Sequence, residues 1–304
     1  MKFLLFFLKA IFIFLLSFLF LMIIPHFHPE KEIFVPSNCP VEVRISKFAG
    51  VAYPFLNFLV NPTKIRFGVY KIKKNASYLS VLKTIYSNKQ VFLPFKIREG
   101  SSSVEILEHI NEDQNFRGKI VTELKDGVVI PNTYHFAYGT IRSVAIKHIL
   151  DQSEVKRKLI WRESAFKDQN EWITMASILE KEGISYEDKQ RIAGVILNRI
   201  KKKMRLEMCS TAIYVKTNGK YDKGLTWKEI CSRKFTSESD LNANYKSAYN
   251  TYANRGLPPG PICNPGVESL KAALNAEIHE YYYYRLINGK HVFSKTFDEH
   301  KSLM

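Results

Sequence analysis

From Phe3 to Ile24 the chain is apolar apart from Lys9 and Ser17, long enough to cross a bilayer as a helix. No other feature restricts the possible folds so strongly, because a helix buried in a protein core seldom runs this long without a polar face. The run ends in Ile23, Ile24, Pro25, His26, Phe27 and His28 rather than in the small residues that signal peptidase cuts. Lys2 and Lys9 lie on its N-terminal side, so the positive-inside tendency places the N-terminus in the cytoplasm and everything after Pro25 across the membrane. The expectation is a cytoplasmic stub and single uncleaved anchor over residues 1–26 of a cytoplasmic (inner) membrane, with the bulk of the chain on the extracytoplasmic, periplasmic side.

The rest of the 304 residues, in a chain with 46% hydrophobic content, is too long for one minimal domain and sufficient for two compact ones. The expected fold is α+β: after the transmembrane helix, a small strand-helix lobe over residues 27–155, then a mixed α/β lobe over 156–304. The net charge of +16 lies almost wholly outside the anchor. Export removes nucleic acid as a partner and leaves anionic lipid head groups and the carboxylates of wall polymers. A generally solvated basic surface accounts for the charge equally well.

Cys39, Cys209, Cys231 and Cys263 are widely spaced, with no C-x-x-C pair and no histidine at ligand spacing, so no zinc site is expected. Export permits disulfides, and the sequence chooses none of the possible pairings. His279-Glu280 is followed by tyrosines where a zinc protease needs a second histidine, and no G-x-S-x-G elbow occurs. Neither metal hydrolysis nor serine acyl transfer is indicated.

Within 33–155, Ile33 to Val35, Val41 to Ile45, Lys64 to Tyr70 and Val91 to Ile97 read as strands, being rich in β-branched and aromatic residues. Tyr78 to Tyr86 carries Leu79, Val81, Leu82 and Ile85 at helical spacing, and Val104 to Ile110 repeats the pattern after Gly100, Ser101 and Ser102. Two such strand-then-helix units resemble the lysin-motif modules that grip glycan chains.

The second lobe opens with a helix, Glu171 to Glu182, whose Trp172, Met175, Ala176 and Leu179 form one apolar stripe and which Gly183 stops. Ser185 and Asp188 make a capping-box-like start for another helix with Ile192, Val195, Ile196 and Ile200 on one side. Polar turns follow. Tyr249 to Gly266 (YNTYANRGLPPGPICNPG) holds four prolines and three glycines, which specify a rigid, shaped loop. Its Tyr249, Asn250 and Tyr252, together with Asn198, are sugar-binding candidates, because aromatic faces suit sugar rings and amides suit N-acetyl groups. Tyr281 to Ile287 and Lys290 to Phe293 flank Asn288-Gly289, a hairpin signal.

Glu180 and Glu182 project from opposite flanks of the first helix's stripe. Glu182 stands in the last turn, where the negative helix end disfavours a charged carboxylate and suits a group that must hold a proton. Geometry alone does not choose between the two glutamates.

Taken together, Ala176 to Glu182 (ASILEKE), Val195 to Ile200 (VILNRI), Met204 to Leu206, the Tyr249 to Gly266 loop, Ser269 to Ala272 and Gly289 to His300 (GKHVFSKTFDEH) resemble the catalytic domain of the YceG-like endolytic murein transglycosylases. Gly68-Val69-Tyr70, Glu99-Gly100 and Pro131 to Tyr134 also match that family's layout. The resemblance implies a membrane-anchored lyase acting on peptidoglycan, with no cofactor or metal. Glu182 is implied as the catalytic residue, with Glu180 supporting it and Tyr249, Asn250, Thr251, Tyr252 and Asn198 as binding candidates. The implied reaction cleaves the MurNAc-GlcNAc β-1,4 bond of nascent strands and leaves 1,6-anhydroMurNAc ends, terminating elongation. Peptidoglycan strands and peptidoglycan synthases are the implied partners.

The chain departs from the family pattern near the expected chemistry. It has Glu207 where glutamine is usual, Cys209 where aspartate is usual and Ser210 where proline is usual, and Asn132 replaces an aspartate. Changes at Glu207, Cys209 and Ser210 keep open an alternative, a noncatalytic membrane-anchored peptidoglycan-binding protein.

Overall fold

The computed structural model describes residues 2–23, 25–27, 31–35, 68–87, 89–120, 123–161, 166–220 and 247–303. The chain divides into two compact units. The first comprises Met1–Pro94, Asn115–Arg117 and His135–Ile141, and the second Phe95–Gln114, Gly118–Tyr134 and Arg142–Met304. The stretch 27–155 contributes to both. The expected strand at Val41 to Ile45, the start of the one at Lys64 to Tyr70, and Cys39 and Cys231 lie outside the described residues.

The first unit opens with α1 (Lys2–Ile23). The expected anchor segment is therefore helical, with its longest described run of side chains, Phe6 to Ser17, exposed. Among the described residues no helix is long and apolar enough to cross a membrane. Then come β1 (Pro25–Phe27), β2 (Lys31–Val35), β3 (Gly68–Ile72), β4 (Ala76–Ser77) and α2 (Tyr78–Tyr86). β2 and β3 pair antiparallel, Lys31 opposite Ile72 and Val35 opposite Gly68, and β1 pairs with β4. Ser77 caps α2 by accepting from the Ser80 N–H at 3.3 Å. Among the described side chains of this short helix, Val81 and Ile85, one turn apart, are buried, while Leu79 is 53% exposed.

From there β5 (Phe92–Lys96) carries the chain into the second unit, where α3 (Ser103–Glu112) begins with a complete capping box between Ser102 and Glu105. β6 (Phe116–Arg117) returns to the first unit, as do β7 (Thr133–Ala137), from His135 onward, and β8 (Thr140–Ile141), and β6 pairs in parallel with β8. The second unit continues with α4 (Arg142–Ile160), a helix without a strong apolar pattern and absent from the sequence-based expectation. Its first residue, Arg142, donates to the carbonyls of Ile110, Asn111, Asp113 and Gly118, so one guanidinium serves the open C-terminal end of α3.

α5 (Gln169–Glu182), α6 (Tyr186–Lys201), α7 (Cys209–Thr217) and α8 (Val267–Leu274) follow, then β9 (Tyr283–Ile287), β10 (Lys290–Ser294) and α9 (Phe297–Ser302). The apolar stripe understates α5: every residue from Trp172 to Leu179 is buried, because α6, α7 and α8 all pack on it. Of its buried polar members, Ser177 is satisfied within the core, its Oγ donating to the Thr174 carbonyl and accepting from the Ile262 N–H, while the Thr174 hydroxyl has no hydrogen-bond partner among the described residues. Trp172 is fully buried and spends its indole N–H on the Leu270 carbonyl at 2.8 Å. The β9–β10 hairpin turns on Asn288 and Gly289, φ +49° and +76°, as a two-residue turn with two left-handed positions requires.

Candidate active site around Glu182

α5 starts at Asp168, which accepts from the Glu171 N–H at 2.9 Å, and ends where Gly183 takes φ −89°, ψ 147°. Gly183 is thus extended rather than left-handed. Its necessity is a close approach, since a Cβ there would lie 2.4 Å from Lys189 Cγ and 3.2 Å from Lys189 Cα. That tight turn into α6 leaves Glu182 as the last helical residue, its carboxylate reaching away from the core of α5.

Two other elements meet that carboxylate. At the start of α7, Ser210 donates its backbone N–H to Glu182 Oε1 at 3.2 Å and its hydroxyl to the same oxygen at 2.7 Å. Met208, the N-cap residue of α7, has no side-chain cap to offer, so a carboxylate from another helix occupies the positive helix end. From β9, Tyr284 donates its hydroxyl to Glu182 Oε2 at 3.0 Å and lies 3.1 Å from Met208 Sδ. Burial first, then the Glu182 charge, holds the Tyr284 phenol well above its ordinary pKa. The phenol therefore stays protonated and remains a donor.

The scaffold beneath is set by Arg199, a buried cation on α6. Its guanidinium donates to the carbonyls of Tyr282 at 2.6 Å, Arg205 at 3.0 Å and Leu206 at 2.9 Å, and stacks 5.0 Å from the Tyr283 ring centre. One side chain thereby ties the approach to α7 to the entry of β9, the two elements that supply Ser210 and Tyr284. Glu207 sits in this approach with φ +53°, its carboxylate 3.4 Å from Arg199 and half exposed. Thr251 fixes the same approach from the loop: its hydroxyl accepts from the Met208 N–H at 2.9 Å and pairs with the Thr211 hydroxyl at 2.8 Å. Tyr252 is more open, with its hydroxyl 2.9 Å from Cys209 Sγ.

The remaining candidates lie elsewhere in the unit. Glu180 accepts from the Gly266 N–H at 2.9 Å and the Ser269 hydroxyl at 2.6 Å, capping α8, whose own N-cap glycine cannot. Lys189 pairs with its other oxygen at 3.5 Å, both side chains being nearly enclosed. Asn198 spends its amide N–H groups on the carbonyls of His279 and Tyr281. Asn250 is buried and accepts from the Tyr252 N–H, organising the turn at the head of the loop. Tyr249 packs on Tyr214 at 5.1 Å between ring centres. Tyr284 and Arg199, by contrast, escaped sequence-based reading as site residues, although an arginine three residues after the core position Ile196 marks a cation on a buried face.

Glu99 and Pro131 to Thr133, two of the family-like stretches, line one open cavity of about 430 Å³ with Lys96, Ile97 and Arg98. Burial and then the neighbouring Glu180 charge push the Glu99 carboxyl up.

Residues 45–304 match the YceG-like family. A protein of Bacillus subtilis (strain 168) named endolytic murein transglycosylase is 40% identical over 129 residues, covering 42% of this chain and 32% of that protein. A Streptococcus pneumoniae (strain R6) protein of the same name is 23% identical over 297 residues, covering 83% of this chain and 52% of its own length. The chain thus spans about half or less of the curated relatives it matches. A solved structure of a putative yceG-like protein from Listeria monocytogenes superposes with a TM-score of 0.53 at 25% identity, over 91% of this chain and all of that one. With the match running through every element of the Glu182 site, the chain belongs to the YceG-like family.

Proposed function

We propose that the protein is a membrane-anchored lytic transglycosylase that cuts peptidoglycan strands at the MurNAc-GlcNAc β-1,4 bond, with Glu182 as its acid and base. The observation that carries this reading is the convergence of Ser210 and Tyr284 on the Glu182 carboxylate, which fixes one carboxyl group in place as acid-base catalysis needs. Glu182 gives a proton to the bridging oxygen as the bond from the muramoyl C1 breaks. The resulting carboxylate takes the proton of the muramoyl 6-hydroxyl, whose oxygen bonds to C1. The products are a 1,6-anhydroMurNAc end and a free GlcNAc 4-hydroxyl, and Glu182 is again protonated. A second carboxylate of the kind that serves water or a covalent intermediate is not needed. The names of the relatives support the same activity.

The noncatalytic alternative loses support at two of the positions that raised it. Ser210 holds Glu182 directly, and Cys209 meets Tyr252 beside it. The anchor belongs to the proposal too, supported by the exposed Phe6, Phe7, Phe12, Ile13 and Leu16 of α1 and by the apolar sequence from Phe3 to Ile24. External protease should then degrade the bulk of the chain in spheroplasts, and protection of that bulk would remove the extracytoplasmic placement.

The deciding experiment compares wild type with Glu182→Gln on uncross-linked glycan strands, reading products by mass spectrometry. Wild type should leave 1,6-anhydro ends, lighter by one water than hydrolytic ends. The variant should stay folded and lose cleavage by roughly 10² to 10⁴-fold for each of the acid and base roles. Reducing ends would make the protein a hydrolase, and no cleavage by wild type would favour wall binding alone.

A further inference from the structure

The single hydroxyl hydrogen of Tyr284 has two acceptors within reach, Glu182 Oε2 at 3.0 Å and Met208 Sδ at 3.1 Å. One hydrogen cannot serve both fully. The two acceptors also differ in kind: a carboxylate oxygen is strong when ionised and weak once protonated, whereas a thioether sulfur is weak throughout and never changes. The other carboxylate oxygen is already committed, since Oε1 accepts both hydrogen bonds from Ser210. Oε2 is therefore the oxygen with lone-pair capacity left for a proton.

We propose that Tyr284 and Met208 form a hydrogen-bond switch that follows the protonation of Glu182, with the Tyr284 hydrogen on Oε2 when Glu182 is ionised and on Met208 Sδ when Oε2 carries the proton. The reaction proposed above, on which this inference rests, needs both states in one turnover. In the acid step Oε2 must be free to give its proton to the glycosidic oxygen, and a hydroxyl turned to sulfur does not compete. In the base step the new carboxylate gains a neutral donor at once, with only a rotation about the phenol C–O bond. No other heavy atom has to move. Met208 is suited to waiting as the second acceptor because it is held in place, 2% exposed, with its backbone N–H bonded to Thr251.

The groups facing this triad from the packed elements are few. α7 presents Ser210 and the Cys209 thiol, β9 presents Tyr284, α6 presents the Arg199 guanidinium with Glu207 beside it, and β10 presents His291, its ring edge-on to the Tyr284 ring at 5.2 Å and its Nδ1 2.7 Å from the Asp188 carboxylate. Arg199 is engaged by backbone carbonyls, and neither substitution below removes a charged group.

The test is the pH dependence of kcat/KM for strand cleavage, measured on the full chain in detergent for wild type, Tyr284→Phe and Met208→Leu. Activity requiring a protonated acid falls on the alkaline side as that acid ionises. Removing the Tyr284 donor withdraws support from the ionised form, so the alkaline limb should move up by about one pH unit, the scale of a hydrogen bond to a charged group. Removing the sulfur leaves the hydrogen nowhere else to go, so Met208→Leu, of similar volume, should move the limb the opposite way by a few tenths of a unit, sulfur being the weaker acceptor. Opposite shifts support the switch. Shifts in the same direction, or an unmoved limb in Tyr284→Phe, overturn it, because loss of packing alone lowers the amplitude of the profile without moving its limbs in opposite senses. Glu182→Gln separates the two levels. If that variant still cleaves, the acid assignment itself falls. If it is inactive while the Tyr284→Phe limb stays in place, the switch alone is wrong.

Discussion

Ser210 donates both its backbone N–H and its hydroxyl to one oxygen of Glu182, at 3.2 and 2.7 Å. A serine in the first turn of α7 thus does for Glu182 what a capping side chain does for a helix, with the roles reversed: the helix end is capped by the residue it orients.

Ser210→Ala should keep the backbone hydrogen bond and lose the hydroxyl. A hydrogen bond to a charged group contributes about 1.5 to 3 kcal/mol, so strand cleavage should drop by about tenfold or more with little change in thermal midpoint. Steady-state kinetics beside a melting curve would check this, and unaltered kinetics would deny Ser210 a role in orienting Glu182.

Arg199→Met should be costly although no candidate substrate contact is removed. The substitution leaves the carbonyls of Tyr282, Arg205 and Leu206 without their shared donor. Only the Leu206 carbonyl is buried, the other two being partly exposed; a buried carbonyl left unsatisfied costs about 1 to 3 kcal/mol, giving a loss of about 2 kcal/mol in urea unfolding. Arg199→Lys, with a point charge in place of a planar fork, should recover only part of it.

Gly194→Ala should destabilise against helix propensity. In the interior of α6 alanine is favoured by about 1 kcal/mol, but the added Cβ would lie 2.2 Å from the Glu277 carbonyl and 2.5 Å from His279 Nε2. The 277–279 backbone would have to move, and overpacking of this kind costs about 1 to 3 kcal/mol. Chemical denaturation should show a net loss, and a gain would mean that this segment yields freely.

Asp188 and His291 should set part of the acid stability. Burial opposes ionisation of Asp188, but hydrogen bonds from His291 and the Ile184 N–H, with the charges of His291 and Arg191, outweigh it and hold its pKa below the usual carboxylate value. A depressed folded-state pKa contributes stability above the unfolded value of about 4, and that contribution disappears as pH falls through the folded value. Thermal midpoints taken from pH 7 downward should therefore fall more steeply below about pH 4 in wild type than in Asp188→Asn, which should start lower at neutral pH. Parallel curves would remove Asp188 from the acid transition.

What the sequence determined by itself is local. The end of α5 at Gly183, the Ser185 start of α6, the bounds of α2 and the Asn288-Gly289 hairpin are legible because caps, helical periodicity and turn conformations act within a few residues. The loop from Tyr249 to Gly266 was visible as a rigid segment, but not the task of each residue in it. Thr251 braces Met208, Asn250 builds a turn, and Asn198 serves carbonyls beyond α6. The partners of Glu182 were decided only by the tertiary structure: Ser210 is 28 residues away and Tyr284 is 102. Such pairings leave no periodic trace, since they depend on where Arg199 and the core around Trp172 set α7 and β9. The same packing buried α5 on every side from Trp172 to Leu179 rather than along one stripe, because a stretch that three other helices cover has no face left for water.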